Sequence, residues 1–357
     1  MVDERIKKIA KILVDYSIKV KPNSRIMVRF TSEANPLALE IYKLILKNGA
    51  FPVMRPNLQG YAYAYYTLAN KKQLNTYPII EDFIIKNTDG HIYLGGDFNT
   101  QELTSIDPKK MSLRSKLTKP IFDARIKKNN WVLFEYPTNA LAQDAEMSLE
   151  EFENFVFSAC IQDWKKEGKK QDAIKKIVDK GKNVRIIGED TDISFSIRGR
   201  IGRKCDGHYN MPDGEVFTSP VENSTEGKIA YSFPARYGKV VDGVRLEFKK
   251  GKVVKATADK NEDYLKKMLN TDSGAKILGE WGIGLNYNIK KFVKQILFDE
   301  KIGGTIHLAL GHAYKEVGGK NDSAIHWDMI KDLRKKGEVL VDDKVFMKKG
   351  KVQLKNF

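Results

Sequence analysis

Hydrophobic positions in the first half of the chain follow two alternating spacings. Ile6, Ile9, Leu13 and Ile18 recur at helical intervals and predict an amphipathic opening helix. Residues 25–30 read as a strand. Asn35 followed by Pro36 gives an N-cap and a proline at the first helical position. Leu37, Leu39, Ile41, Leu44 and Ile45 continue that helix, and Asn48-Gly49 stops it. A short strand over 51–55, a helix over 78–86, and buried strands over 91–94 and 131–136 follow. Strands alternating with helices predict a doubly wound, parallel α/β sheet.

The clearest helix spans 147–164. Ser148 and Glu151 form a capping box, and Phe152, Phe155, Val156 and Ala159 share one apolar face. A basic helical stretch, 165–182, leads into a different pattern. From 184 onward the chain is rich in strands and turns: 184–188, 193–198, 228–233, 243–248 and 253–257, the last two joined as a hairpin through 249–252. A helix over 262–269 and the segment 289–298 interrupt them, and strands over 339–341, 344–347 and 352–354 close the chain. Two domains follow, an N-terminal doubly wound α/β domain (1–183) and a C-terminal mixed α+β metal-binding domain (184–357).

Composition narrows the class. With 357 residues, 41% hydrophobic and 30% charged, the chain is long enough for two cores and belongs to the globular class. A formal net charge of +16 raises nucleic acid or an anionic membrane as partners. The lysines, however, are scattered in pairs such as Lys7-Lys8 and Lys335-Lys336, with no block of five like charges and no arginine-rich arm. A solvated, lysine-rich surface accounts for the charge, and nucleic acid is not an expected partner. The two cysteines, Cys160 and Cys205, form no CxxC pair, which fits a reducing, cytoplasmic setting. Neither a signal peptide nor an apolar run of the ~18 residues needed to span a membrane is evident.

The chemistry concentrates in the second half, which holds four of the five histidines. His307 sits in an apolar, glycine-bounded run, and His326 and Asp328 are two apart, which on a strand places them on one face. Glu215 follows the turn Pro212-Asp213-Gly214. Glu280 lies between glycines and apolar residues, an expensive place for an unpaired charge. Each has a plain structural alternative. Glu215 could be a turn carboxylate, His307 a satisfied core histidine, His326 and Asp328 a structural pair, and the glycines near 282–284 and 303–304 turns. Together they indicate an oxygen-and-nitrogen metal site. There is no His-Glu-x-x-His, no Gly-x-Ser-x-Gly and no phosphate-binding glycine loop.

The ordered set of segments also resembles the M29 family of metallo-aminopeptidases, of the aminopeptidase T, S and II type. The resemblance is carried by Tyr136-Pro137-Thr138 with Ala142-Gln143 and Met147-Ser148, by Pro212-Asp213-Gly214-Glu215-Val216-Phe217-Thr218, and by Leu278-Gly279-Glu280. It continues through Leu297-Phe298-Asp299-Glu300, His307-Leu308-Ala309-Leu310-Gly311 and Ile325-His326-Trp327-Asp328. It covers nearly the whole chain, most strongly 136–334.

The resemblance implies that Glu215, Glu280, His307, His326 and Asp328 hold two divalent ions (Zn, Co or Mn), with Glu280 bridging. It implies that Tyr314 assists catalysis, that the activity is metal-assisted removal of amino-terminal residues from short peptides, and that the protein is a homodimer. Glu215 and Glu280 are the two candidates for the carboxylate that takes the water's proton; His312, five residues after His307, suits a nearby proton carrier or a loop residue equally well, and His208 is left structural or at the rim. Lys315 stands where many relatives have proline, so a different local turn is expected. The loop 282–288 replaces a proline-containing one, and the spacing from His307 to His326 is short. The alternative is a metal-dependent amidohydrolase acting on non-peptide amides.

Overall fold

Parallel strand pairing in the first half and antiparallel pairing in the second distinguish two compact units in the computed structural model, which describes residues 3–357. The first unit comprises 1–162 and 207–212, the second 163–206 and 213–357.

The first unit is built on a five-stranded parallel sheet. Its strands run in the order Phe51–Asn57, Arg25–Thr31, Gly90–Gly95, Trp131–Glu135 and Asn210–Met211. Central strands with both faces covered need apolar runs, and Ile26, Met27, Val28, Ile92, Val132 and Phe134 supply them, all buried. The opening helix is α-helical over Glu4–Lys11 and continues as a π-helical turn, Ile12–Ser17. Helix Leu149–Cys160 carries the expected capping box of Ser148 and Glu151. The 21-residue helix Pro108–Lys128 had no counterpart in the periodicity. It buries only Ile121 and contains Pro120, so no apolar stripe marks it.

The units divide at Gln162/Asp163, ahead of residue 183. Asp163 caps a fresh helix, Trp164–Lys180. The apolar face of this helix includes Ile174 and Val178, which join the second unit's core rather than the first's. Residues 207–212 supply the fifth parallel strand of the first unit, an excursion that composition does not mark.

Beside a small two-stranded sheet, Ala235–Tyr237 with Lys239–Val241, the second unit is built mainly on two large antiparallel sheets. One has eight strands and includes the expected hairpin, Arg245–Lys249 paired with Lys252–Thr257. The other has five, in the order His326–Asp332, Thr305–Gly311, Leu278–Gly284, Glu215–Thr218 and Arg203–Cys205. One core cluster draws on both sheets. Ile186, Ile193, Phe195 and Phe346 come from the first, and Trp281, Ile306, Leu308, Leu310 and Trp327 from the second. Alternation along each strand sends these residues to one face and leaves the other face of the five-stranded sheet for chemistry. The glycines at 282–284 therefore lie in a fully buried strand and not in a turn.

Candidate metal centre

Strand register decides which side chains meet. On Thr305–Gly311, His307, Ala309 and Gly311 share the face opposite the core residues Ile306, Leu308 and Leu310. Ala309 stands between Glu280 on one neighbouring strand and Asp328 on the other. Gly311 stands opposite His326, and Gly282 opposite His307. Glu215 pairs with Gly284. Each of the five candidate ligands thus has alanine or glycine beside it across a strand pair, which gives its side chain room to lean over the sheet. Gly282 shows the requirement most sharply. A Cβ there would lie 1.9 Å from His307 Nε2, inside the ring's own space. Gly214, at φ +119°, turns the chain into Glu215, and Asn286 fixes that turn by donating to the Asp213 carbonyl at 2.9 Å.

All five expected ligands converge. His307 Nε2 lies 3.0 Å from Glu280 Oε1 and 3.4 Å from Glu215 Oε2. His326 Nε2 lies 3.7 Å from Glu280 Oε2 and 3.5 Å from Asp328 Oδ1. The two oxygens of Glu280 therefore face two different imidazoles. Each imidazole is oriented from behind: His307 Nδ1–H donates to the Glu300 carbonyl at 3.1 Å, and His326 Nδ1–H to the His312 carbonyl at 2.8 Å. A carbonyl can only accept, so Nδ1 carries the proton on both rings and Nε2 is the nitrogen turned inward.

The charge balance fits a cation. Glu215 Oε2 and Asp328 Oδ1 are buried without a hydrogen-bond partner, a costly arrangement unless something positive answers them. Burial alone would lower the pKa of both histidines. The hydrogen bond to Glu280 and the charges of Glu215, Glu280 and Asp328 reverse this for His307 and lift it to about 10. Asp328 and Glu280, with the His312 carbonyl, lift His326 to about 10. Burial raises Glu215, against Lys301 and His307, and raises Glu280, against both histidines. Burial would also raise Asp328, but His326, His307 and Lys301 outweigh it and bring it down to about 2. A field that draws protons onto imidazoles also draws divalent cations, which need those rings neutral. The donor set, three carboxylates and two imidazoles, suits Zn, Co or Mn.

Tyr314 stands beside this group, its ring 5.1 Å from that of His326 and 5.7 Å from Phe217. Tyr314 is partly exposed, yet desolvation around its hydroxyl and the nearby carboxylates push its pKa up, so the phenol stays protonated and can donate. A short 3₁₀ turn, Lys315–Val317, follows it. His312 lies at the rim, 3.4 Å from Asp322. His208 belongs to the first unit, stacked on Tyr16 and bonded to the Ser17 carbonyl.

Three neighbours were not singled out from the sequence as site residues. The Glu300 carboxylate comes within 4.8 Å of ligand atoms of His307 and Asp328. Lys301 is fully buried against Glu215 and Glu300. Burial would lower its pKa, but Glu215, Glu300 and Asp213 hold it well above the ordinary value, so it stays charged. Cys205 lies with Asp213 and Glu215, and burial with those carboxylates raises its thiol pKa. The signal for the first two was a Glu-Lys pair just ahead of Gly303-Gly304 and the histidine strand; nothing local marked Cys205.

Residues 2–352 match the family profile described as thermophilic metalloprotease (M29). Aminopeptidase 2 of Geobacillus stearothermophilus is 26% identical, over 92% of each chain. Aminopeptidase T of Thermus aquaticus is 37% identical over 36% of this chain and 35% of its own. In structure, wild-type AmpT from Thermus thermophilus superposes with a TM-score of 0.86 at 20% identity, covering 98% of this chain and 99% of that one. The 2,5-dihydroxypyridine dioxygenase of Pseudomonas putida KT2440 does so with a TM-score of 0.64 at 14% identity, covering 98% and 96%. These superpositions show a shared fold, while the family rests on the profile matched over residues 2–352.

Proposed function

We propose, from the premise that this chain belongs to the M29 family of metalloproteases, how its residues carry out aminopeptidase chemistry. The protein is a metal-dependent aminopeptidase. Its substrates are read as short peptides with a free amino terminus.

Glu215, Glu280, His307, His326 and Asp328 would hold two divalent cations, Glu280 being the carboxylate that faces both inward imidazoles. The observation that carries this is the pair of histidines, each locked through Nδ1 to a backbone carbonyl, with their Nε2 atoms turned to opposite oxygens of Glu280. When bound, such cations supply Lewis acidity that polarises the scissile carbonyl and lowers the pKa of water. Tyr314 donates a hydrogen bond to the oxygen that gains charge as the carbonyl is attacked. Glu215 or Glu280 accepts the proton released by the attacking water and passes it to the leaving amine. The buried strands on either side keep bulk water from the carboxylates, which strengthens each of these interactions.

A homodimer and a cytoplasmic location complete the reading. Exposed apolar residues of the first unit, among them Tyr61, Leu68, Ile80, Phe83 and Phe98, support self-association. Among the described residues no helix is long and apolar enough to cross a membrane.

The test is hydrolysis of a dipeptide and aminoacyl-p-nitroanilide panel by chelator-stripped protein, with Zn, Co or Mn restored singly. Release of free amino-terminal residues only with metal, and not from N-acetylated substrates, is expected. Turnover of N-acetylated amides would favour the amidohydrolase alternative.

A further inference from the structure

A lysine with no exposed side-chain surface stands behind the ligand group. Lys301 Nζ lies 3.6 Å from Glu215 Oε1 and forms a close ion pair with Glu300 Oε1. Taking an ammonium out of water is expensive, so its partners must answer it closely. They do so unevenly. Lys301 engages one oxygen of Glu215, while the other, Oε2, has no hydrogen-bond partner and lies 3.4 Å from His307 Nε2. The second carboxylate, Glu300, reaches the group formed with His307 and Asp328.

The backbone of Lys301 is pinned. Its carbonyl accepts from Asn286 N at 3.0 Å and its N–H donates to the Phe298 carbonyl at 3.1 Å. Asn286 also holds the Asp213 carbonyl, one step before the turn that delivers Glu215. Lysine and glutamate are thus set on one frame.

We propose that Lys301 is a positioning residue that occupies one oxygen of Glu215 and so makes Glu215 a one-oxygen ligand. The inference rests on the reading of Glu215 as a cation ligand. A carboxylate left to itself can take two positions on a cation, whereas a hydrolytic site must keep a position open for water or substrate. A compact ammonium on a pinned backbone engages one oxygen without competing for the other. The same charge holds Glu300 against the edge of the group and offsets part of the converging negative charge.

The experiment compares the full-length wild type with Lys301→Met, each stripped and titrated with Co²⁺. It follows cobalt stoichiometry, the visible d–d spectrum, thermal unfolding with and without Co²⁺, and kcat and KM on a leucyl dipeptide. Lys301→Met is expected to take up cobalt with an altered d–d spectrum. Its kcat should fall about 10- to 100-fold, as for other residues that orient ligands, with KM within about threefold. A spectrum identical to wild type overturns the inference, whatever the rate. A Lys301→Met chain that folds neither with nor without cobalt makes the lysine a purely structural residue and also overturns it. A wild-type chain that takes up no cobalt removes the underlying ligand reading, an outcome visible before the variant is examined.

Discussion

His91 and His307 are both buried to 1% exposure or less, and both lie on β-strands. His91, in the first unit, meets the Thr88 hydroxyl at 2.8 Å; burial, helped by Lys128 and Arg125, pushes its pKa down to about 4. His307, in the second unit, meets Glu280 and Glu215, and its pKa is pushed up to about 10. Dryness is common to both. What differs is the sign of the charge gathered around the ring, and that separates a structural imidazole from one able to share a cation with carboxylates.

The comparison can be broken most forcefully at Glu280, which faces both inward imidazoles. Glu280→Ala is expected to lower metal-supported kcat/KM by at least about a thousandfold, at or beyond the upper end for a single transition-state donor. Steady-state peptide hydrolysis checks this, and a loss under tenfold would remove Glu280 from the centre of the site. Tyr314→Phe keeps the ring and removes the donor. It should cost about 10²- to 10³-fold in kcat while leaving metal uptake intact, measured by turnover beside cobalt titration. Gly282→Ala adds only a methyl, but one that His307 must yield to. Metal affinity should fall about 10- to 100-fold by calorimetric titration.

The smallest effect on activity belongs to His91. His91→Leu should leave peptide hydrolysis within about twofold, because burial with Lys128 and Arg125 outweighs Asp89, the one carboxylate acting on its ring, where a ligand set needs several. Its effect appears in stability against pH. The folded pKa lies below the ordinary 6.5, so the folded state favours the neutral ring. The contribution is complete above about pH 6.5 and is lost as pH falls toward 4, by as much as about 3 kcal/mol. Thermal unfolding between pH 7 and 4 should therefore steepen for wild type relative to His91→Leu.

These two histidines also show how far the sequence could be read. Gly90-His91-Ile92-Tyr93-Leu94-Gly95 and Thr305-Ile306-His307-Leu308-Ala309-Leu310-Gly311 look alike locally, and a satisfied core histidine fits both. Period-two alternation placed His326 and Asp328 on one face correctly. The ligand set came from an ordered series of segments, whose strands the structure sets side by side in a sheet. Missing from the sequence was cross-strand register: that Ala309 separates two carboxylates, that Gly282 makes room for a ring, and that Glu300 and Lys301 close behind Glu215. The helix Pro108–Lys128 escaped for the opposite reason, having almost no buried face to leave a periodic trace. The sheet of the first unit was legible up to its fifth strand, which comes from residues 210–211 and depends on a long-range return.

The most direct measurement is a count of divalent cations per chain, by native mass spectrometry of stripped and reloaded protein, for wild type and Glu280→Ala. Two cations on wild type and at most one on Glu280→Ala are predicted. No uptake by wild type, or equal uptake by both chains, would contradict a centre organised around Glu280.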